Sequence, residues 1–275
     1  MEVYLFAAIL PVFILCYYIY KKDVNREPNR VLWKIFGFGC LISVPIFFIE
    51  VFIQLFYSVE DTSSFLSLFA NVFISIAFIE EGFKWVVTKK YGYNIKEFDE
   101  LYDIVVYAVF ASLGFACVEN ILYVFSNGIG NAILRAFTSV PGHTCFGVIM
   151  GYFLSLAKVN EIREEKDEFK KNLFLSILIP TALHTLYDAI LLYSIEIQSF
   201  SFLLLFLGFL IVMFFSCFKV VNKVASSNQN LYVQQNLDIV QKKQDEGNQE
   251  IVHFCYNCGS NVDGCNYCTN CGTKV

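Results

Sequence analysis

Residues 65–87, FLSLFANVFISIAFIEEGFKWVV, decide the fold. As a helix they rise about 34 Å, enough to cross roughly 30 Å of hydrocarbon. Yet the run holds Glu80, Glu81 and Lys84, and an ionisable side chain at mid-bilayer costs roughly 2.5–3.5 kcal/mol on insertion scales. At spacings of three and four the three groups share one helix face. That face must meet protein or water, so the segment predicts a helical bundle around a polar interior.

Composition agrees. Hydrophobic residues make up 56% of the 275 and charged residues 16%, against about 45–50% and 25% in soluble domains. An all-α polytopic membrane protein follows, and with a net charge of −5 and no basic patch no nucleic-acid partner is expected. Apolar runs predict about seven transmembrane helices, near 3–20, 31–57, 65–88, 102–126, 133–157, 172–195 and 199–221. The gaps alternate in Lys and Arg: KKDVNREPNR, TKKYGYNIKEFDE and KVNEIREEKDEFKKN are basic, whereas SVEDTSS and SIEIQS have no basic residue and SNGIGNAILR has only Arg135. By the positive-inside rule the N-terminus lies outside and the C-terminal tail is cytoplasmic, with the chain a multi-pass protein of the cell membrane. The first run, with no basic residue ahead of it, is expected to be a retained span. Residues 1–221 thus form a transmembrane domain.

From Val221 the chain turns polar and rich in Asn and Gln, predicting a flexible linker over 222–252. Residues 253–275 carry two CxxC pairs, Cys255/Cys258 and Cys268/Cys271, nine residues apart and each followed by Gly. That spacing predicts a small cytosolic zinc ribbon with structural Zn on four thiolates, folded only with its metal. Cys265 is a weaker alternative ligand. The ribbon is expected to dock a cytosolic protein partner, because four basic against five acidic residues in 222–275 do not favour nucleic acid. The five cysteines in the spans are expected to be buried apolar thiols.

Polar residues gather on three further spans. Ala108, Ser112, Ala116 and Asn120 recur every fourth residue, ending beside Glu119; Pro141 and Gly142 precede His143, with Gly147, Gly151 and Ser155 at the same period; Pro180 precedes His184 and Asp188. Small residues at this period suit close helix contact, and Pro141–Gly142 is expected to loosen the fifth span. Helical rise puts Glu80 and Glu81 about 10–12 Å from the cytoplasmic boundary, His184 about 18 Å from it and His143 about 15 Å from the outer one. These lie in one middle layer. Glu119 falls nearer the outer side, and joining the others would require a bend or re-entry of its span. Glu50 and Gln54 are expected at the outer interface.

The pieces EEGFK (80–84), FDELYDIVVYAVFASLGFACVEN (98–120), HTCFGVIMG from His143 and HTLYDAI from His184 resemble the PrsW-type intramembrane proteases, related to type II CAAX-processing endopeptidases. The resemblance covers about 65–195. It implies cleavage of membrane-anchored proteins within or beside the lipid bilayer, with regulators such as anti-sigma factors as substrates. The CAAX enzymes usually have Arg four residues after the second Glu; here Lys84 stands three after it, so that branch is disfavoured. The ribbon lies outside the resemblance.

The residues support the same chemistry. Amide hydrolysis needs an activated water, oxyanion stabilisation and an acid for the amine. Glu80, Glu81, His143 and His184 are the catalytic candidates, supported by Lys84, Glu119, Asn120 and Asp188. Lys84 is expected to balance Glu80, four residues earlier, leaving Glu81 as the base. His143, His184 and a Glu could hold a catalytic Zn with an open position; alternatively the imidazoles and Asn120 stabilise the oxyanion without metal. Asp188 is expected to orient His184. Two other functions fit the same residues: an ion or proton carrier, and a scaffold recruiting partners through its ribbon.

Overall fold

The structure, a computed structural model, describes residues 2–23, 26–56, 64–93, 100–245, 262 and 270. Among them seven helices are long and apolar enough to cross a membrane. The chain divides into two compact units, Met1–Asn222 and Lys223–Val275. Cys255, Cys258, Cys268 and Cys271, like His253, lie outside the described residues, and so does the expected zinc ribbon.

The first unit is a bundle of α-helices. Its elements are α1 (Glu2–Lys22), α2 (Asn29–Phe56), α3 (Phe65–Val72), a π-helical turn (Phe73–Ala77), α4 (Phe78–Tyr91), α5 (Leu101–Asn127), α6 (Ile129–Phe137), α7 (Ser139–Ile162), α8 (Lys166–Glu196) and the start of α9 (Phe200–Asp245). Helix α5 is the hub, packed against α1, α2, α4, α6 and α7, and every residue from Tyr102 to Cys117 is buried. A capping box at its start, between Glu100 and Asp103, satisfies backbone donors that a buried helix end would leave unpaired.

Small residues set the approach of its neighbours. A Cβ at Gly39 of α2 would strike the Ala111 carbonyl, and one at Gly114 would strike that of Phe36, so α2 and α5 touch backbone to backbone. A Cβ at Gly151 would lie 2.5 Å from Val105 Cα. The two small-residue stripes read from the sequence therefore meet each other: Gly147 faces Ala108 and Ser112, and Ser155 donates to the Leu101 carbonyl at 2.6 Å. Such close packing is the attractive term available to helices in lipid, where burial of apolar surface drives little.

Four expectations change. The fifth span does not run over 133–157. Gly128, at φ 79°, turns the chain out of α5 into the nine-residue α6, and the helix breaks again at Thr138. Pro141 and Gly142 loosen nothing, because α7 starts at Ser139 and Pro141 sits in the first turn, where no backbone donor is needed. The charged loop after the fifth span shrinks to Arg163–Glu165, as α7 and α8 extend beyond their apolar cores. The presumed flexible linker is helical as far as Asp245; between 222 and 245 no Gly or Pro stands to end the helix that begins in the apolar run.

Candidate active site

The π-helical turn inserts one extra residue per turn into the third span just ahead of Phe78. It changes the facing of all that follows, and Glu80, Glu81 and Lys84 are buried together. Trp85 Nε1 donates to Ser176 Oγ at 2.8 Å and ties α4 to α8 about two turns from His184.

Lys84 is the centre, with a side chain 0% exposed. Its Nζ donates to Glu80 Oε2 at 2.9 Å and Glu81 Oε1 at 2.8 Å, and lies 3.1 Å from His143 Nδ1. An ammonium has three protons and no acceptor. All three are used, so Nδ1 accepts and His143 carries its proton on Nε2, which donates to Glu119 Oε2 at 2.8 Å. Lys84 thus does not choose between the two carboxylates, contrary to the expected pairing with Glu80 alone. The aromatic face of Phe115, 4.3 Å from Nζ, completes its surroundings.

His184 sits between two acids, Nδ1 3.0 Å from Glu81 Oε1 and Nε2 3.2 Å from Asp188 Oδ2. Asp188 meets the ring from one turn away, and Phe146 stacks on it at 4.7 Å. The centroids of His143 and His184 are 5.5 Å apart, so four helices bring one connected polar cluster together.

A cavity of about 620 Å³ opens onto this cluster. Glu80, His143, His184 and Asp188 line it; Glu81 does not, lying behind Glu80. The wall residues of α2, α5 and α8 come from the C-terminal parts of those helices and those of α7 from its first turns, so the cavity belongs to one end of the bundle. Beyond Lys84, Tyr93, Ile104, Ala108, Met150 and Leu154 form an apolar cluster.

Glu119 belongs to the cluster without any bend of α5. The depth conflict arose from starting the fifth span at residue 133; with α7 beginning at Ser139, His143 lies only about 6 Å along its helix and meets Glu119 directly. Asn120 faces away from the cavity wall. It donates to the Ala8 carbonyl at 2.7 Å and accepts from Arg135 Nε at 2.8 Å. Glu50 and Gln54 line the cavity instead of lying at an interface; their spacing of four with Ser43 and Ile46 nearby was the signal in the sequence. Arg135, also on the wall, pairs with Glu119 at 2.9 Å. Its signal was its place, as the lone basic residue among the otherwise non-basic gaps.

Oxygens of Glu80 and Glu81 and a nitrogen of His184 converge within 4.8 Å of one another and could hold a metal ion. His143 stands outside this group, turned to Lys84 and Glu119. The charge balance fits a cation: Glu80, Glu81, Glu119 and Asp188 face Lys84, Arg135 and a His184 whose two ring nitrogens both lie against carboxylates and so both carry protons, leaving one negative charge in excess in a poorly solvated cluster.

The sequence model of the PrsW family of intramembrane metalloproteases matches residues 27–218. The chain belongs to that family. Protease PrsW of Oceanobacillus iheyensis is 43% identical over 185 residues, 67% of this chain and 81% of that protein. Protease PrsW of Halalkalibacterium halodurans is 35% identical over 224 residues, 81% of this chain and 96% of that protein, and Protease PrsW of Bacillus subtilis is 37% identical over 186 residues, 67% and 81%. No solved structure matches the chain. As a PrsW-family member it is an intramembrane protease and a multi-pass membrane protein.

Proposed function

We propose that the chain hydrolyses a peptide bond of a membrane-anchored protein inside the cavity, with Glu80 as the carboxylate that activates water. The observation that carries this reading is that Glu80 alone of the two adjacent glutamates lines the cavity, beside both imidazoles. Glu81 holds Lys84 and His184 in place from behind. His143, a donor through Nε2, and His184 are the groups able to stabilise the oxyanion or return a proton to the departing amine. Asn120 supports the scaffold.

Glu80, Glu81 and His184 are the residues that would hold a catalytic metal. A divalent cation there would supply Lewis-acid polarisation of the scissile carbonyl and acidify water. The cavity opens at the end opposite Lys89, Lys90 and Lys158, which the positive-inside rule makes the non-cytoplasmic face. Substrate therefore reaches the site from that side, the N-terminus is outside and the tail cytoplasmic. Single-pass regulators such as membrane-anchored anti-sigma factors are the substrate class. The tail carries structural zinc and a cytosolic partner site. The apolar cluster beyond Lys84 argues against the carrier reading, which needs a polar path through that layer.

The test is purified chain acting on a transmembrane reporter peptide. Cleavage should disappear in E80Q at unchanged melting temperature; proton flux into liposomes without cleavage would overturn the proposal. Exhaustive chelation of a chain with its four tail cysteines replaced by serine separates a metal-held mechanism, which loses activity and regains it on adding Zn²⁺, from one that needs no metal.

A further inference from the structure

We propose that Arg135 is a positioning residue of the active site, acting through Glu119 on His143; its catalytic consequence rests on the proteolytic reading above. The geometry is continuous. Glu119 Oε2 is 2.9 Å from Arg135 Nη2 and the same oxygen is 2.8 Å from His143 Nε2. One carboxylate oxygen is thus shared by a guanidinium on one side and a site imidazole on the other, and any rotation of Glu119 disturbs both.

Three residues of α5, Glu119, Asn120 and Tyr123, surround the guanidinium. Its Nε donates to Asn120 Oδ1 at 2.8 Å, its Cζ lies 4.2 Å from the Tyr123 ring centroid, and Asn120 is itself fixed to α1 through the Ala8 carbonyl at 2.7 Å. Arginine suits this place because one planar guanidinium sets its charge beside the Glu119 carboxylate while Nε donates to the Asn120 amide, an arrangement that a lysine ammonium reproduces only loosely. Arg135 is also the basic residue that departs from the charge bias of the loops, and a cation kept at that end needs a local reason.

The consequence falls on one ring. His143 accepts a hydrogen bond from Lys84 at Nδ1 and donates one to Glu119 at Nε2. Without Arg135, Glu119 loses the cation paired with it and its place at the cavity wall, and the ring keeps only the Lys84 contact. His143 would then turn about its Cβ–Cγ bond. His184, held between Glu81 and Asp188, would not. The role is therefore one of orientation, and a misplacement of about 1 Å at a reacting group can lower activity about 100-fold.

Two measurements on the full chain in nanodiscs test this. With a transmembrane reporter, R135A should lower kcat roughly 10–100-fold with KM little changed, and R135K should recover only part of the loss. In an E119Q background R135A should have no further effect, because the two act in one chain. Additive losses, a change confined to KM, or unchanged kcat would overturn the proposal. Independently of cleavage, selective ¹⁵N labelling of the three histidines should show the His143 resonances shifted in R135A and R135K intermediate, with those of His184 in place. Unmoved His143 resonances in folded R135A overturn the proposal whatever the activity. A wild-type chain that cleaves nothing, yet shows the His143 shift, leaves the positioning contact standing and overturns the proteolytic reading alone.

Discussion

Helices α5 and α7 run side by side, and the two ends of their seam are built on opposite principles. Toward the basic end Gly151 lies on the Val105 backbone and Met150 and Leu154 join Ile104 and Ala108 in an apolar cluster. Toward the other end the same helices carry Glu119 and His143, bonded to each other at the edge of a 620 Å³ cavity. The link between the two regimes is Ser112, whose Oγ donates to the His143 carbonyl at 2.7 Å. The closely packed half holds the helices rigid so that the open half can keep charged groups at fixed distances. Stability should therefore be lost on one side of Ser112 and activity on the other.

The sharpest challenge to that division is E80Q, which should lower turnover by about 10³-fold, equivalent to about 4 kcal/mol of transition-state stabilisation, without lowering the melting temperature. A folded E80Q chain that still cleaves would break the division at once. Conversely, G151L should destabilise the bundle by about 1–3 kcal/mol through overpacking against Val105, read as a lowered melting temperature and yield; a stable G151L chain would show that the seam is not the rigid half. D188N should reduce kcat about tenfold, a loss of about 1.4 kcal/mol, by loosening His184 Nε2 while leaving the fold alone. The smallest change is W85F. It removes the bond to Ser176 and should cost about 0.6 kcal/mol of stability, the usual size for such a bond in membrane helices, with kcat unaltered. A tenfold loss of kcat in W85F would mean that the α4–α8 tie also sets the site.

The helices and most of the site were legible because lipid makes polar groups conspicuous. Glu80, Glu81, Lys84, His143 and His184 stood out against apolar runs, and the stripes at 108–116 and 147–155 marked the faces that meet. Breaks and directions were less legible. The π-helical turn leaves no trace in hydropathy, since Phe73–Ala77 simply continues the apolar run of Phe65–Val72. The break at Thr138 was hidden because Pro141 and Gly142 drew attention to a place where the helix is in fact intact. Glu50 read as interfacial because hydropathy reports depth along a helix and not the side it faces.

By itself the sequence determined how many segments leave water, which ends carry the basic residues and which costly side chains must find partners, since each follows from transfer free energies counted along the chain. Only the tertiary structure decided that Lys84 serves both glutamates, that Glu80 and not Glu81 lines the cavity, and that Glu119 and Arg135 reach His143. Those outcomes depend on rotation of one helix against another, and rotation is set by close packing and by a single extra residue in a turn, neither of which alters the composition that a sequence displays.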